Sequence, residues 1–192
     1  MTSRIKTTLF AAIVSALVMP VAFANSTQSE QELDWNFQHQ PANGLVQAVR
    51  AATADYQNVA RAIQDGYHAI PSGCVSSPDQ GAMGVHYVRD MLFADGAVDV
   101  RYPEALVYEP MPNGRLRLVA AEYITFADFW DTSHPAGEPV TLMGQLFDYE
   151  GSPNRFRLPA SYGLHVWAWK YNPKGAFSMW NPRVSCAYFT GT

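Results

Sequence analysis

Residues 44–67 read GLVQAVRAATADYQNVARAIQDGY. Leu45, Val49, Ala52, Tyr56, Val59, Ala60, Ile63 and Tyr67 recur at steps of three and four, a spacing that lines up one apolar stripe on a helix. Asn43 is placed to cap its start, and Gly66 to take the left-handed conformation at its end. A helix with one apolar face must lie on something, and the chain beyond it is strand-like. Val85–Val88, Ala105–Glu109, Leu116–Ile124, Thr141–Asp148 and Tyr162–Tyr171 are rich in Val, Tyr, Trp and Leu and are bounded by turn residues. Pro112-Asn113-Gly114 reads as a hairpin turn between two of them. The stretch between helix and strands, AIPSGCVSSPDQGAMG (69–84), reads as a Pro/Gly/Ser-rich loop. One long N-terminal amphipathic helix ahead of a run of strands predicts an α+β fold, the helix packed on an antiparallel sheet or half-open barrel. No repeat with a period of about 20–50 residues is visible.

Upstream of the helix the pattern is that of a secretory leader. Arg4 and Lys6 precede an apolar run from Leu9 to Met19, Pro20 breaks it, and Ala22-Phe23-Ala24 supplies a small-x-small cleavage site. A membrane anchor needs about 20 apolar residues, and this run is shorter. Residues 1–24 are thus expected to be removed, sending a soluble chain to the periplasm or medium. Residues 25–42 are polar and aperiodic, an arm carrying Trp35, Phe37 and a solvated His39. Asn25-Ser26-Thr27 fits a glycosylation acceptor only in a host that glycosylates. Residues 43–192 then form a single domain.

Composition narrows the partners. The chain is 48% hydrophobic and 16% charged, enough for a packed core and too apolar for a disordered tail. There are 13 Lys+Arg against 17 Asp+Glu; without Arg4 and Lys6 the balance is 11 to 17, a net charge of −6. Phosphate binding needs a basic face, so this balance argues against nucleic acid. The two cysteines, Cys74 and Cys186, are expected to pair in an oxidising compartment, with free buried thiols as the alternative. A bridge would close a loop of about 113 residues, worth roughly 4–5 kcal/mol in the chain-entropy model.

Familiar chemistry is missing. The sequence has no G-x-S-x-G elbow, H-E-x-x-H, phosphate loop, dinucleotide fingerprint, haem-attachment motif or acidic calcium loop. What remains is five histidines and a few carboxylates. His134 lies in a loop and reads as a surface residue, and His68 comes just after the helix end, where the helix dipole favours it. His86 and His165 interrupt apolar strands, in Gly84-Val85-His86-Tyr87-Val88 and Leu164-His165-Val166-Trp167. A buried histidine needs hydrogen-bond partners or a metal. Glu122 shares the apolar phase of Leu116, Leu118, Ala120 and Ile124, which is costly unless it is paired or bound to a cation. The alternative is a register break that exposes it. Glu104 and Glu109, bracketed by Pro103 and Pro110, read as edge residues.

Trp167, Trp169 and Tyr87, with the other late aromatics, read either as core or as the wall of an apolar ligand pocket. The G-x-H-Y-V motif at Gly84–Val88 and W-x-W-x-x-N-P-x-G-x-F at Trp167–Phe177, with Trp180-Asn181-Pro182 and Cys186 beyond, resemble a family of exported bacterial proteins of uncharacterised function. The resemblance implies a periplasmic or secreted setting and no substrate.

Two functions stand as expectations. One is a divalent-metal site (Zn, Cu or Fe) built from His86, Glu122 and His165, with His68 in reserve, open to catalysis with or without metal. The other is a small-ligand-binding module with an aromatic pocket and no turnover.

Overall fold

In the computed structural model, which describes residues 44–93 and 95–191, six strands form one antiparallel sheet. They are β1 (His68–Ser77), β2 (Gly81–Val88), β3 (Ala105–Pro110), β4 (Leu116–Phe126), β7 (Asp148–Glu150) and β8 (Ser161–Val166). Their order is β1-β2-β3-β4-β8-β7, and the sheet curls into a half-barrel. A separate hairpin pairs β5 (Thr141–Leu142) with β6 (Gln145–Leu146). The leader, the polar arm with Trp35, Phe37 and His39, and the Asn43 cap lie outside the described residues. No described helix is long and apolar enough to cross a membrane.

The helical stretch is broken, in contrast to the one long helix that its periodicity predicts. It runs as α1 (Gly44–Thr53), a 3-10 turn (Ala54–Gln57) and α2 (Val59–Gln64). The break falls at Asn58, whose backbone is extended and whose side chain accepts the Ala60 N–H, so it caps a new helix. Restarting the helix shifts its apolar phase. Leu45, Val46 and Val49 are buried against Ala121, Tyr123, Leu164 and Val166, but in α2 it is Ala62 that is buried while Ile63 is 54% exposed. Gly66 ends the helix at φ +94°, as expected.

The loop expected over 69–84 contains strands. Residues 68–77 are the edge strand β1, paired with β2 except for an excursion between Ala69 and Cys74 that holds Pro71 and Gly73. Pro and Gly are tolerated there because an edge strand has one unpaired side. Asn113-Gly114 makes the β3–β4 turn, with Gly114 at φ +74°. Two further helices among the described residues are α3 (Asp90–Phe93) and α4 (Ala127–Ser133).

The sheet has two distinct faces. Helices α1 and α2 cover one, where Val85, Tyr87, Leu106, Tyr108 and Leu118 pack around Ala62 and Tyr67. Two bulges decide what reaches the other. Val75 pairs with Gly84 and Ser76 with Ala82, so Met83 is an extra residue and the phase of β2 slips. On β4, Val107 pairs with Ala120 and Tyr108 with Leu118, which leaves Val119 extra. The single apolar phase read from Leu116 to Ile124 is therefore split. Leu118 packs on the helix side, whereas Ala120 packs with Val107 and Trp167 on the opposite side.

Candidate metal centre

His86 comes from β2, Glu122 from β4 and His165 from β8. Glu122 and His165 are direct cross-strand partners, and β3 separates His86 from both. The β3 residues opposite His86 and Glu122 are Val107 and Ala105. Ala105 lies between Val88 and Glu122 in register, so His86 and Glu122 are diagonal neighbours across β3, with the short Ala105 side chain beside Glu122. His86 is 6% exposed and His165 4%, so the group is removed from bulk water.

His86 Nε2 lies 3.3 Å from Glu122 Oε2, and His165 Nδ1 lies 3.5 Å from Glu122 Oε1. The imidazole centroids are 5.9 Å apart with perpendicular rings. One ligand atom from each residue can be chosen so that all three lie within 4.8 Å of one another. The second nitrogen of each ring, His86 Nδ1 and His165 Nε2, is buried without a hydrogen-bond partner.

Burial pushes the Glu122 carboxyl up, but the adjoining His165 and the His86 hydrogen bond outweigh it and hold the group below its ordinary value. Burial pushes the His165 imidazole down, against the pull of Glu122. The two shifts favour an ionised Glu122 beside a neutral His165. Neutral imidazole and carboxylate are the forms that ligate metal.

The three residues also line a cavity of about 680 Å³ on the sheet face away from α1 and α2, with Asp90 and Phe93 of α3 in its wall. Ile70 and Val75 of β1 and Asp148 and Glu150 of β7 line it too, so the curled sheet wraps it from edge to edge. Phe156 and Leu158, from the segment between β7 and β8, and Met179 complete the wall. That segment offers no periodicity, which is why the sequence does not reveal it as a wall.

The other expected residues lie elsewhere. His68 is exposed and pairs with Asp90 at 3.1 Å, away from the three-residue group. Tyr87 packs edge-on against Tyr108 at 5.2 Å on the helix side. Trp169 donates its ring N–H to Thr53 Oγ1 at 2.9 Å, so it too faces the helices. Trp167 is fully buried and stacks beneath His165 at 6.1 Å. None of these three rings is among the residues lining the cavity. Strand alternation would put Trp169 on the face of His165, but β8 ends at Val166 and the alternation ends with it. His134 stacks on Trp130 at 3.8 Å.

Two carboxylates that read as edge residues in the sequence are buried, because β3 is an interior strand. Glu104 accepts the Ile124 N–H. Glu109 accepts from Lys170, Arg117 and the Ser185 N–H, a network that ties the C-terminal segment to the sheet. Cys74 and Cys186 are bonded, with Cα atoms 5.7 Å apart.

No family model, curated protein or solved structure matches this chain. The site is therefore read from its own geometry.

Proposed function

We propose that this is an exported, soluble protein that binds one divalent transition metal through His86, Glu122 and His165. The observation that carries the proposal is the spacing around Glu122. Separations of 3.3 and 3.5 Å are long for N–H···O bonds. Two ligand atoms about 2.0–2.2 Å from one tetrahedral ion would lie about 3.3–3.6 Å apart, so each nitrogen already sits at ligand spacing from one Glu122 oxygen. The two face different oxygens, and with one atom from each residue inside 4.8 Å the side chains need close only slightly around a single ion. Two imidazoles and a carboxylate suit Zn, Cu or non-haem Fe. With three protein ligands, a bound ion keeps a position for water or substrate, the arrangement used in Lewis-acid catalysis. Export is supported by the leader pattern, the Cys74–Cys186 bond and the resemblance to exported bacterial proteins.

The test is zinc titration of metal-free, disulfide-intact protein by calorimetry. One equivalent should bind, and His86→Ala or His165→Ala should weaken binding by at least about a hundredfold while the far-ultraviolet spectrum is kept. Wild-type affinity in both variants would overturn the proposal.

A further inference from the structure

The cavity that holds the metal group also has a composition of its own. Met83, Met179, Phe93, Phe126, Phe156 and Ile124 are among its lining residues. Thioether sulfurs favour aromatic ring edges, and phenyl rings favour tilted or stacked partners, so a wall of Met and Phe fits a flat aromatic body. A volume of about 680 Å³ falls inside the range of small-molecule sites.

The polar chemistry is unevenly placed. Of the charged residues lining the cavity, Asp90, Asp148, Arg155 and Arg157 are exposed and Glu150 is half-buried. Asp90 pairs with His68, and the Arg155 guanidinium donates to Ser76 O at 3.0 Å and lies over the Trp180 ring. Both signs occur among them, and water screens the exposed ones. Of the ionisable residues lining the cavity, His86 and His165 are buried, and Glu122 beside them is 14% exposed.

With a divalent ion on the nitrogens nearest Glu122, the charge of that cluster is +1, the one carboxylate offsetting one unit of the ion and the two imidazoles staying neutral. The ring protons then sit on His86 Nδ1 and His165 Nε2, the two buried nitrogens with no acceptor. Each of those ring protons points away from the ion and is shielded from the cavity, so what the polar end of the cavity presents is the positive charge at the ion. A monoanion complements that charge; a neutral or cationic group does not.

From these observations we infer that the cavity binds an aromatic monocarboxylate, its ring among the Met and Phe side chains and its carboxylate on the metal. The inference rests on the metal reading and names the ligand class of that site. The probes are naphthalene-2-carboxylate and, as its neutral counterpart, naphthalene-2-methanol, tracked by their fluorescence with full-chain mature protein. Zinc uptake is measured first and separately by calorimetry. On zinc-loaded protein the carboxylate should bind at least about tenfold more tightly than the alcohol, and removing zinc should abolish that preference. Equal binding of the two probes, or binding of neither while zinc binds, overturns the ligand class and leaves the metal reading standing. A carboxylate preference that persists without zinc places the head group elsewhere and also overturns it. Absence of zinc binding overturns both readings.

Discussion

Glu104 shows how far a single buried carboxyl can shape stability. Burial pushes it up to about 8, although the Ile124 N–H pulls the other way and Asp95 and Glu122 add to the rise. Its folded value exceeds the ordinary value of 4.5, so its effect is most favourable below that pH, where folded and unfolded chains both hold the proton. As pH rises from about 4.5 to about 8, the unfolded chain ionises while the folded one resists, and stability falls. Above that window the loss is complete. Glu104→Gln keeps an oxygen for the Ile124 N–H and removes the titration. The variant should gain on the wild type by on the order of 3–5 kcal/mol between pH 4.5 and pH 8.5. Urea unfolding across that range checks it; parallel curves for the two proteins would show that Glu104 does not titrate this way.

At the scale of the element, the bulge at Met83–Gly84 does more than its length suggests. It moves Met83 and His86, three residues apart, to the same cavity, where regular alternation would separate them. Gly84 sits at φ +123°, and a Cβ there would come within 2.5 Å of the Tyr108 carbonyl oxygen. Gly84→Ala should therefore cost about 1–3 kcal/mol or more, read from the urea midpoint, and should weaken zinc binding through displacement of His86. A variant unchanged in both would show that the backbone there relaxes freely. The same bulges explain what is legible in the sequence. His86, Glu122 and His165 stand out because each is ionisable inside an apolar run; for the two histidines that signal does not depend on register, while for Glu122 it rests on the phase it shares with Ala120 and Ile124. The pocket aromatics carry no such signal, since assigning Trp167, Trp169 and Tyr87 to a face needs the phase and ends of strands. The break at Asn58 is hidden for a similar reason: steps of three and four continue across it, while an Asn that caps a new helix looks locally like any polar residue. The edge strand β1 reads as loop because its Pro and Gly obscure the alternation.

For the whole molecule, the Cys74–Cys186 bond joins the edge strand β1 to the C-terminal segment, which the Lys170–Glu109 pair holds from the other side. Cys186→Ser should cost about 2–5 kcal/mol. Thermal unfolding with and without reductant checks it, and a melting temperature indifferent to both would contradict it. The metal group draws on β2, β4 and β8, so it assembles only when distant parts of the chain meet. The two faces of the sheet also impose different rules on neighbouring positions. A change at Val85 or Leu106 bears on whether the chain keeps its shape, because those side chains hold the helices. A change at Met83, Val88 or Ile124 bears on what the cavity accepts, because those side chains line it, on the face away from α1 and α2. Along β2 and β4 these two kinds of position are interleaved, often one residue apart. Chains descended from this one can thus diverge in chemistry through one set of codons while the other set preserves the architecture.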